Sequence, residues 1–341
     1  MGGYRLFLAL VVVFAHLASV PNIGGYAVFG FYMISGYLMT LVMKGVYGYS
    51  IRGVCGYALN RFLRIYPAYW VSIGVSIVLI YFLGQDFFSG YRHIIALPEN
   101  YLSWLRNIFI VFPSLESPRL TPPAWALTVE IFFYIAIGLS LSRNKMVTWL
   151  WFLCSALYHI LALSMAWGYE SRYFPVWAAS LPFPTGALVY HYRDFLKARM
   201  SVIPVLTGRL AVVFFVILFF ANWWLGRVYE VSGGLAFYTN YVICLFALIG
   251  FALLWHARST RYDALAGSLS YPVYLLHYQV GAIVIVFFDG FETELRRGQI
   301  LFFLIAVPFV LLAAYLMVLI VERPVEGVRT GVKSLINKYY G

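Results

Sequence analysis

The 341-residue sequence predicts an all-α integral-membrane bundle of about ten transmembrane helices, with both termini in the cytoplasm. Hydrophobic residues make up 63% of the chain and charged residues 11%, whereas soluble domains contain about 45–50% and about 25%. The apolar residues form runs long enough to cross a bilayer, and basic residues are concentrated in alternate connecting segments. We expect one membrane domain over residues 1–341, without an appended soluble domain.

The predicted spans are apolar runs of about 17–25 residues. They lie at 4–20, 27–43, 65–84, 122–141, 146–167, 173–190, 202–225, 235–255, 268–288 and 299–321. The first run lacks a small-residue cleavage site, so we expect a retained span rather than a signal peptide. The hydrophilic interval 85–121 is too long to be a turn, which is typical of functional loops.

The charges indicate the orientation of these spans. With the N-terminus in the cytoplasm, the inner segments hold 17 basic and four acidic residues, while the outer segments hold seven basic and eight acidic residues. This asymmetry is what the positive-inside rule predicts. Since topology explains the basic excess, we expect no nucleic-acid partner.

Two ionisable residues interrupt the first span. Arg5 and His16 are eleven residues apart, which places them on nearly one helix face, about 16 Å apart along the axis. An ionisable residue within a membrane normally faces a cavity or a partner, so His16 is predicted to be functional. The alternative is a histidine satisfied by a backbone carbonyl, with Arg5 a flanking positive-inside residue.

Glu130 is the acidic residue that lies inside a span. It follows the start of the fourth run, TPPAWALTVE, by some eight residues, roughly 10 Å below the outer surface. A carboxylate at that depth needs a partner, and we predict His16, whose tautomer the carboxylate would fix. A purely structural ion pair is the alternative.

Arg61 and Arg64, three residues apart at the predicted start of a helix, share one face at the cytoplasmic surface. Guanidinium groups suit phosphate, so they could clamp a nucleotide-like cofactor, with headgroup binding or simple positive-inside anchoring as the alternative. In the closing VERP, Glu322 and Arg323 could form a salt bridge or contact phosphate.

Other polar residues have weaker patterns. Tyr274 and His277 lie midway through the ninth span, where His277 could contact a substrate or be a packed histidine. Ser35 and Gly36 favour close helix packing, with pocket lining as the alternative. The three cysteines have no metal-ligand spacing, and we expect no metal.

Together these segments resemble the acyltransferase-3 family of integral-membrane acyltransferases over essentially the whole chain. The resemblance rests on segments in a fixed order: Arg5-x10-His16, FYMISGYLMT, Arg61-x-x-Arg64 before YPAYW, WALTVE with Glu130, SYPVYLLH with His277, and VERP.

The resemblance implies transfer of an acyl group, usually acetyl, from cytoplasmic acyl-CoA to a hydroxyl of a cell-surface or exported glycan. O-antigens, exopolysaccharides and capsules are such acceptors, and the acceptor could also be a lipid-linked saccharide. The expected location is a bacterial cytoplasmic (inner) membrane. Many relatives carry an extracytoplasmic domain that completes the transfer, and we expect no such domain in this chain. We therefore expect this chain to perform the whole transfer or to pass the acyl group to a separate protein.

The predicted mechanism uses acetyl-CoA held by Arg5, Arg61, Arg64 and Arg323. His16, oriented by Glu130, acts as general base, or forms an acyl-histidine in a variant mechanism. Substrate contacts are predicted for His277, Tyr274, Ser35 and Trp125. The competing hypothesis is a proton-coupled transporter or flippase, which also uses intramembrane His and Glu but often has internal repeats, and none is visible here. The sequence predicts no oligomeric state.

Overall fold

The computed structural model describes residues 1–112, 118–200, 202, 209–229, 234–254, 260–289 and 297–338. Throughout these ranges the regular secondary structure is helical, and no strand occurs. The helices are α1 Gly2–Leu17, α2 Ile23–Val42, α3 Ile51–Leu83, α4 Gln85–Arg92, α5 Tyr101–Phe109, α6 Ala124–Gly138, α7 Lys145–Ser164, α8 Tyr169–Tyr173, α9 Pro182–His191, α10 Arg193–Met200, α11 Arg209–Val228, α12 Leu235–Ile249, α13 Arg261–Asp289, α14 Ile300–Met317 and α15 Arg323–Lys338. Short π-helical turns continue α2, α12 and α14.

The membrane fold class is confirmed by the length and composition of the helices. Within the described residues, seven helical segments are long and apolar enough to cross a bilayer. They are Ile23–Tyr47, Ile51–Leu83, Lys145–Ser164, Leu210–Val228, Leu235–Leu254, Arg261–Phe288 and Ile300–Val332. Helices α1 and α6 are apolar but shorter, and they coincide with the first and fourth predicted spans. Ten spans and cytoplasmic termini stay predictions.

Two predicted spans differ from the structure. The predicted span 173–190 is not one helix, since α8 ends at Tyr173 and α9 begins at Pro182. Pro175 lies two residues beyond α8 and Pro182 is the first residue of α9, positions that suit proline because it lacks the N–H that a helix interior requires. Helix α3 begins at Ile51 rather than at 65, so Arg61 and Arg64 lie inside the helix and not at its start. Residues 203–208 of the span 202–225 and residue 255 of the span 235–255 lie outside the described residues.

The chain forms two compact units. The first contains Met1, 25–57 and 132–264, and the second contains 2–24, 58–131 and 265–341. Within the first unit, α2 and α9 approach closely at two glycines. A Cβ at Gly36 would overlap the carbonyl oxygen of Phe183, and a Cβ at Gly186 would overlap that of Met33. The close packing predicted at Gly36 is therefore confirmed.

Ser35 belongs to the first unit, and the other residues predicted to bind substrates or catalyse belong to the second.

In the second unit, the C-terminal end of α1 is fixed by the segment that precedes α14. The Gly298 N–H donates to the carbonyl oxygen of Leu17 at 2.8 Å. Gly298 has φ +104°, a conformation that L-residues with a Cβ rarely adopt, so glycine is required at this contact. One turn earlier in α1, the ring of Phe14 packs edge-on against Phe303 at 5.0 Å.

Candidate active site

Helix α1 presents His16 in its last turn, where the side chain is half-buried. Arg5 is also half-buried and lies three turns earlier on the same helix, as its spacing predicts. The Nδ1 atom of His16 lies 2.9 Å from Nε2 of His277. The two imidazole rings stack, with centroids 5.1 Å apart and planes inclined by 15°. The structure thus joins two histidines that are 261 residues apart in the sequence.

The hydrogen bonds of this histidine pair, His16 and His277, determine the tautomers of the neutral rings. His277 is fully buried, and its Nδ1 lies 2.9 Å from the carbonyl oxygen of Tyr274. A carbonyl only accepts, so Nδ1 of His277 carries the proton and Nε2 accepts. Nδ1 of His16 must then donate to that Nε2, which leaves Nε2 of His16 with a lone pair. A half-buried imidazole nitrogen with a fixed lone pair can take a proton from a substrate hydroxyl.

Tyr278 forms the wall beside the histidine pair. Its ring centroid is 5.1 Å from that of His16 and 4.6 Å from that of His277. The Tyr91 hydroxyl donates to the carbonyl oxygen of Tyr278 at 3.0 Å, which attaches α4 to α13 at this level. Gly281, one turn along α13, gives the Tyr91 hydroxyl the room that a Cβ would occupy.

Three guanidinium groups surround this wall, and we call Arg92, Arg119 and Arg297 the arginine cluster. The guanidinium of Arg92 lies over the Tyr278 ring and that of Arg297 over the Tyr91 ring, each 5.9 Å from the centroid. Arg92 and Arg297 both lie within electrostatic reach of His16. Burial, and then the charge of Arg92, lower the pKa of Arg119 to about 10, so this group stays protonated at neutral pH.

The sequence reasoning did not select the arginine cluster, although it contained a signal. All three residues fall in segments predicted on the extracytoplasmic side of the membrane, where the positive-inside rule disfavours basic residues. An arginine predicted on the outer side is an exception to this rule, so such a residue calls for a local explanation.

Glu130, predicted as the partner of His16, is half-buried on α6. Its carboxylate acts electrostatically on the hydroxyls of Tyr271 and Tyr274. The Tyr274 hydroxyl donates to the carbonyl oxygen of Pro123 at 2.7 Å, which joins α13 to the residue before α6. The hydrogen bond of His16 described above goes to His277, which occupies the orienting position expected of Glu130. Trp125 lies in the first turn of α6 and is half-buried.

A second polar group surrounds Arg64, which forms a salt bridge with Glu322 at 2.8 Å. The salt bridge that the VERP segment could form is therefore present, and it engages Glu322 rather than Arg323. The Arg64 guanidinium also lies 5.7 Å from the ring centroid of Tyr271, whose hydroxyl donates to the carbonyl oxygen of Ile65 at 2.9 Å. Arg323 is exposed at the start of α15.

Asn60 connects two further arginines in this group. Its Oδ1 atom accepts from Arg61 at 2.6 Å and from Arg329 at 3.3 Å. Arg329 is buried and was not selected from the sequence. A cleft lies beside the group, lined by Arg64, Glu322, Arg329 and apolar side chains. We call Arg61, Arg64 and Arg329 the Arg64 cluster. Its three guanidinium groups outnumber the carboxylates of Glu322 and Glu326 that pair with two of them, and guanidinium groups suit phosphate.

Ser35 lies on α2 in the first unit, where its hydroxyl is 3.3 Å from that of Tyr134. Across the described part of the chain, no three His, Cys, Asp or Glu side chains are grouped so that they could hold a metal ion. The geometry therefore offers an imidazole base, a tyrosine wall and two separate clusters of arginines.

The family comparison agrees with this geometry. A family model described as the acyltransferase domain of the acyltransferase-3 family matches residues 2–319. The chain belongs to the acyltransferase-3 family. No curated protein and no solved structure matches it. This acyltransferase is thus a membrane enzyme that takes an acyl group from a donor and gives it to an acceptor, and membership favours the enzyme over the carrier considered from the sequence.

Proposed function

We propose that this acyltransferase moves an acetyl group from acetyl-CoA to a hydroxyl of a cell-surface or exported glycan, in the cytoplasmic membrane of a bacterium. The observation that carries the proposal is the chain from the Tyr274 carbonyl through His277 to His16, which leaves Nε2 of His16 as a hydrogen-bond acceptor. This arrangement suits a general base, because the base needs a free lone pair directed at the hydroxyl proton.

In the proposed reaction, the acceptor hydroxyl loses its proton to Nε2 of His16 as its oxygen attacks the thioester carbonyl. The carbon–sulfur bond breaks, and the proton passes from His16 to the departing CoA sulfur. The products are the ester and CoA thiol. His277 holds the His16 tautomer, and Glu130 acts through Tyr274, whose hydroxyl lies within its electrostatic reach. In the variant mechanism, Nε2 of His16 first accepts the acetyl group itself.

The donor site is proposed at the Arg64 cluster. Arg61 and Arg323 contact the phosphates of acetyl-CoA, while Arg64 adds its charge from a position fixed by Glu322. Tyr271 touches Arg64, and His277 lies six residues further along α13, about 9 Å along the helix axis. One helix therefore extends from the donor phosphates toward the base, which supports a route for the pantetheine arm beside α13. Arg5 adds charge at the entrance, and Tyr274 and Trp125 are proposed substrate contacts.

The deciding experiment measures transfer of labelled acetyl from acetyl-CoA by purified protein in lipid nanodiscs. His16→Ala should reduce transfer by about 10²–10⁴-fold, the usual contribution of a general base. His93→Ala is the matched control, because His93 is an exposed histidine just beyond α4 and should leave transfer unchanged. Full activity of a folded His16→Ala variant would refute the assignment of the base.

The donor site has its own test. Arg61→Gln should raise the KM for acetyl-CoA, since it removes a phosphate-binding charge. Arg52→Gln on the same helix is the control, because Arg52 is exposed near the start of α3. An equal KM in the two variants would contradict the proposed phosphate contact. Arg64 is a poorer choice for this test, since its removal also breaks the salt bridge with Glu322.

A further inference from the structure

The arginine cluster has features that the transfer of an acyl group alone does not explain. Arg92 and Arg297 both act electrostatically on His16, yet a nearby positive charge opposes protonation of a general base. Two cations beside the base are therefore unfavourable for the proposed reaction unless something neutralises them when the acceptor binds.

The described part of the chain supplies no carboxylate for this purpose. Its ion pairs are formed by Met1 with Asp263, Arg64 with Glu322, Arg193 with Asp194, and Arg329 with Glu326, so neither Arg92 nor Arg297 takes part in one. Arg92 is half-buried, and its Nε atom is buried without a hydrogen-bond partner in the described residues. The third arginine adds to the positive potential, since Arg119 is buried and its charge interacts unfavourably with that of Arg92.

The backbone holds these arginines in place. The carbonyl oxygen of Arg92 accepts from Ile95 at 2.8 Å, and the N–H of Arg119 donates to Ile94 at 2.8 Å, so the two segments are tied together. Arg297 precedes Gly298, whose N–H is bonded to the end of α1. The guanidinium of Arg297 lies close to the Tyr278 hydroxyl, and that of Arg92 lies over the same ring. Both groups are thus positioned on one tyrosine beside the base.

We propose that Arg92 and Arg297 form a subsite for an anionic group of the acceptor, a carboxylate or a phosphate. The proposal rests on the proposed function, because it assigns the acceptor side of the same reaction. Guanidinium groups bind carboxylates and phosphates through paired hydrogen bonds to two of their oxygens. A bound anion would also offset the two positive charges that oppose protonation of His16. The acceptor is accordingly an acidic glycan or a phosphate-linked saccharide.

The donor phosphates are a less suitable occupant of this subsite. The Arg64 cluster contacts α13 at Tyr271, whereas Arg92 contacts the same helix at Tyr278. Seven residues of helix separate these positions by about 10 Å along the axis. Under the predicted topology, the two groups of arginines also come from opposite sides of the membrane. The Tyr271 end of this part of α13 therefore suits the donor, and the Tyr278 end suits the acceptor.

The test compares three trisaccharides of one backbone with the full-length protein in nanodiscs and saturating CoA. The first carries a glucuronic acid, the second has that carboxyl reduced to an alcohol, and the third is the reduced form with a phosphate at its reducing end. Equilibrium binding and acetyl transfer from acetyl-CoA are measured separately. At least one charged trisaccharide should bind about tenfold or more tightly than the neutral one, as expected for a charge-assisted hydrogen bond. Preference for the first identifies a glycan carboxylate, and preference for the third identifies a saccharide phosphate.

The variants Arg92→Gln and Arg297→Gln should each reduce this charge preference toward unity. Arg106→Gln is the matched control, because Arg106 is half-buried on α5 in the same predicted outer interval as Arg92. Arg92→Lys keeps the charge and should retain part of the preference, which separates loss of the subsite from loss of the fold. Thermal unfolding of each variant checks the fold directly.

The outcomes separate this proposal from the proposed function. Charge-selective binding without transfer supports the subsite and contradicts acetyl transfer to these glycans. Transfer with equal binding of charged and neutral trisaccharides overturns the subsite and leaves the acyltransferase mechanism standing. A preference that persists in both Arg→Gln variants also overturns it, because the anion would then bind elsewhere.

Discussion

The replacement of His277 by phenylalanine tests the tautomer argument most directly. His277→Phe keeps a planar ring in a fully buried position but removes both nitrogens. The Nδ1–H of His16 then loses the acceptor that lies 2.9 Å away, and the imidazole is free to carry its proton on Nε2. The variant base therefore spends part of its time in the tautomer that cannot accept a proton.

The size of the effect follows from that one hydrogen bond. A buried donor that loses its partner costs about 1–3 kcal/mol. Since 1.36 kcal/mol corresponds to a factor of ten, kcat should fall roughly 5- to 150-fold. The KM for acetyl-CoA should not change, because the proposed phosphate contacts lie at the Arg64 cluster. The assay is steady-state acetyl transfer, with kcat and KM determined separately.

His159→Phe is the matched control for this variant. His159 is also a buried histidine with two hydrogen bonds, to the Tyr238 hydroxyl at 2.6 Å and to the carbonyl oxygen of Ala178 at 2.8 Å. Both variants should lower the unfolding temperature by similar amounts, and His277→Phe alone should lower kcat. His277→Gln restores an acceptor for His16 and should recover part of the rate. Equal kcat in the two phenylalanine variants would refute the positioning role.

Three further variants test other contacts of the second unit. Glu322→Gln leaves the charge of Arg64 without its carboxylate, so the unfolding temperature should fall, while the KM for acetyl-CoA should decrease as the local potential becomes more positive. Gly281→Ala places a Cβ on the Tyr91 hydroxyl and should lower kcat several-fold by shifting the tyrosine wall. Glu130→Gln should lower kcat about tenfold with little change in KM, because a neutral amide no longer acts on the Tyr274 hydroxyl, whose residue also accepts the His277 hydrogen bond.

Each of these variants has an outcome that contradicts its reasoning. An unchanged unfolding temperature in Glu322→Gln would mean that the salt bridge contributes nothing to stability. Gly74→Ala is the control for Gly281→Ala, since a Cβ at Gly74 meets nothing within 4 Å, and similar kinetics in the two would exclude a role for the Tyr91 contact. Wild-type kcat in Glu130→Gln would limit Glu130 to a structural role.

The fold class was predictable because it depends on composition and on the length of apolar runs, which are local properties. Helix bounds were less predictable where local signals compete. The run 173–190 is apolar enough for a span, but its prolines interrupt the helix between Tyr173 and Pro182. Conversely, α3 begins at Ile51, well before the apolar run that predicted a span from residue 65. Its first half is more polar, and hydropathy detects segments that are apolar enough for lipid rather than helices as such.

The two histidines of the candidate site could be selected from the sequence, whereas the arginine cluster and the pairing of the histidines were not predicted. His16 and His277 were both selected as intramembrane histidines, yet nothing in a single sequence indicates that residues 261 positions apart share a hydrogen bond. The helical rise predicts similar depths in the bilayer for Glu130 and His16, so the sequence predicted Glu130 as the residue that orients His16. The pairing depends on how α1 packs against α13, which is a tertiary property.

The length of α1 has a consequence for the bilayer itself. Sixteen residues of α-helix span about 24 Å, whereas the hydrocarbon core of a typical bilayer is about 30 Å thick. A helix that ends one residue after His16 is too short to carry the imidazole to the far surface. Under the predicted topology, in which α1 is the first span, this difference of roughly 6 Å predicts thinner lipid beside α1 or a water-filled recess above it. Acyl-chain length in the surrounding membrane should therefore control how easily a hydrophilic acceptor reaches the base.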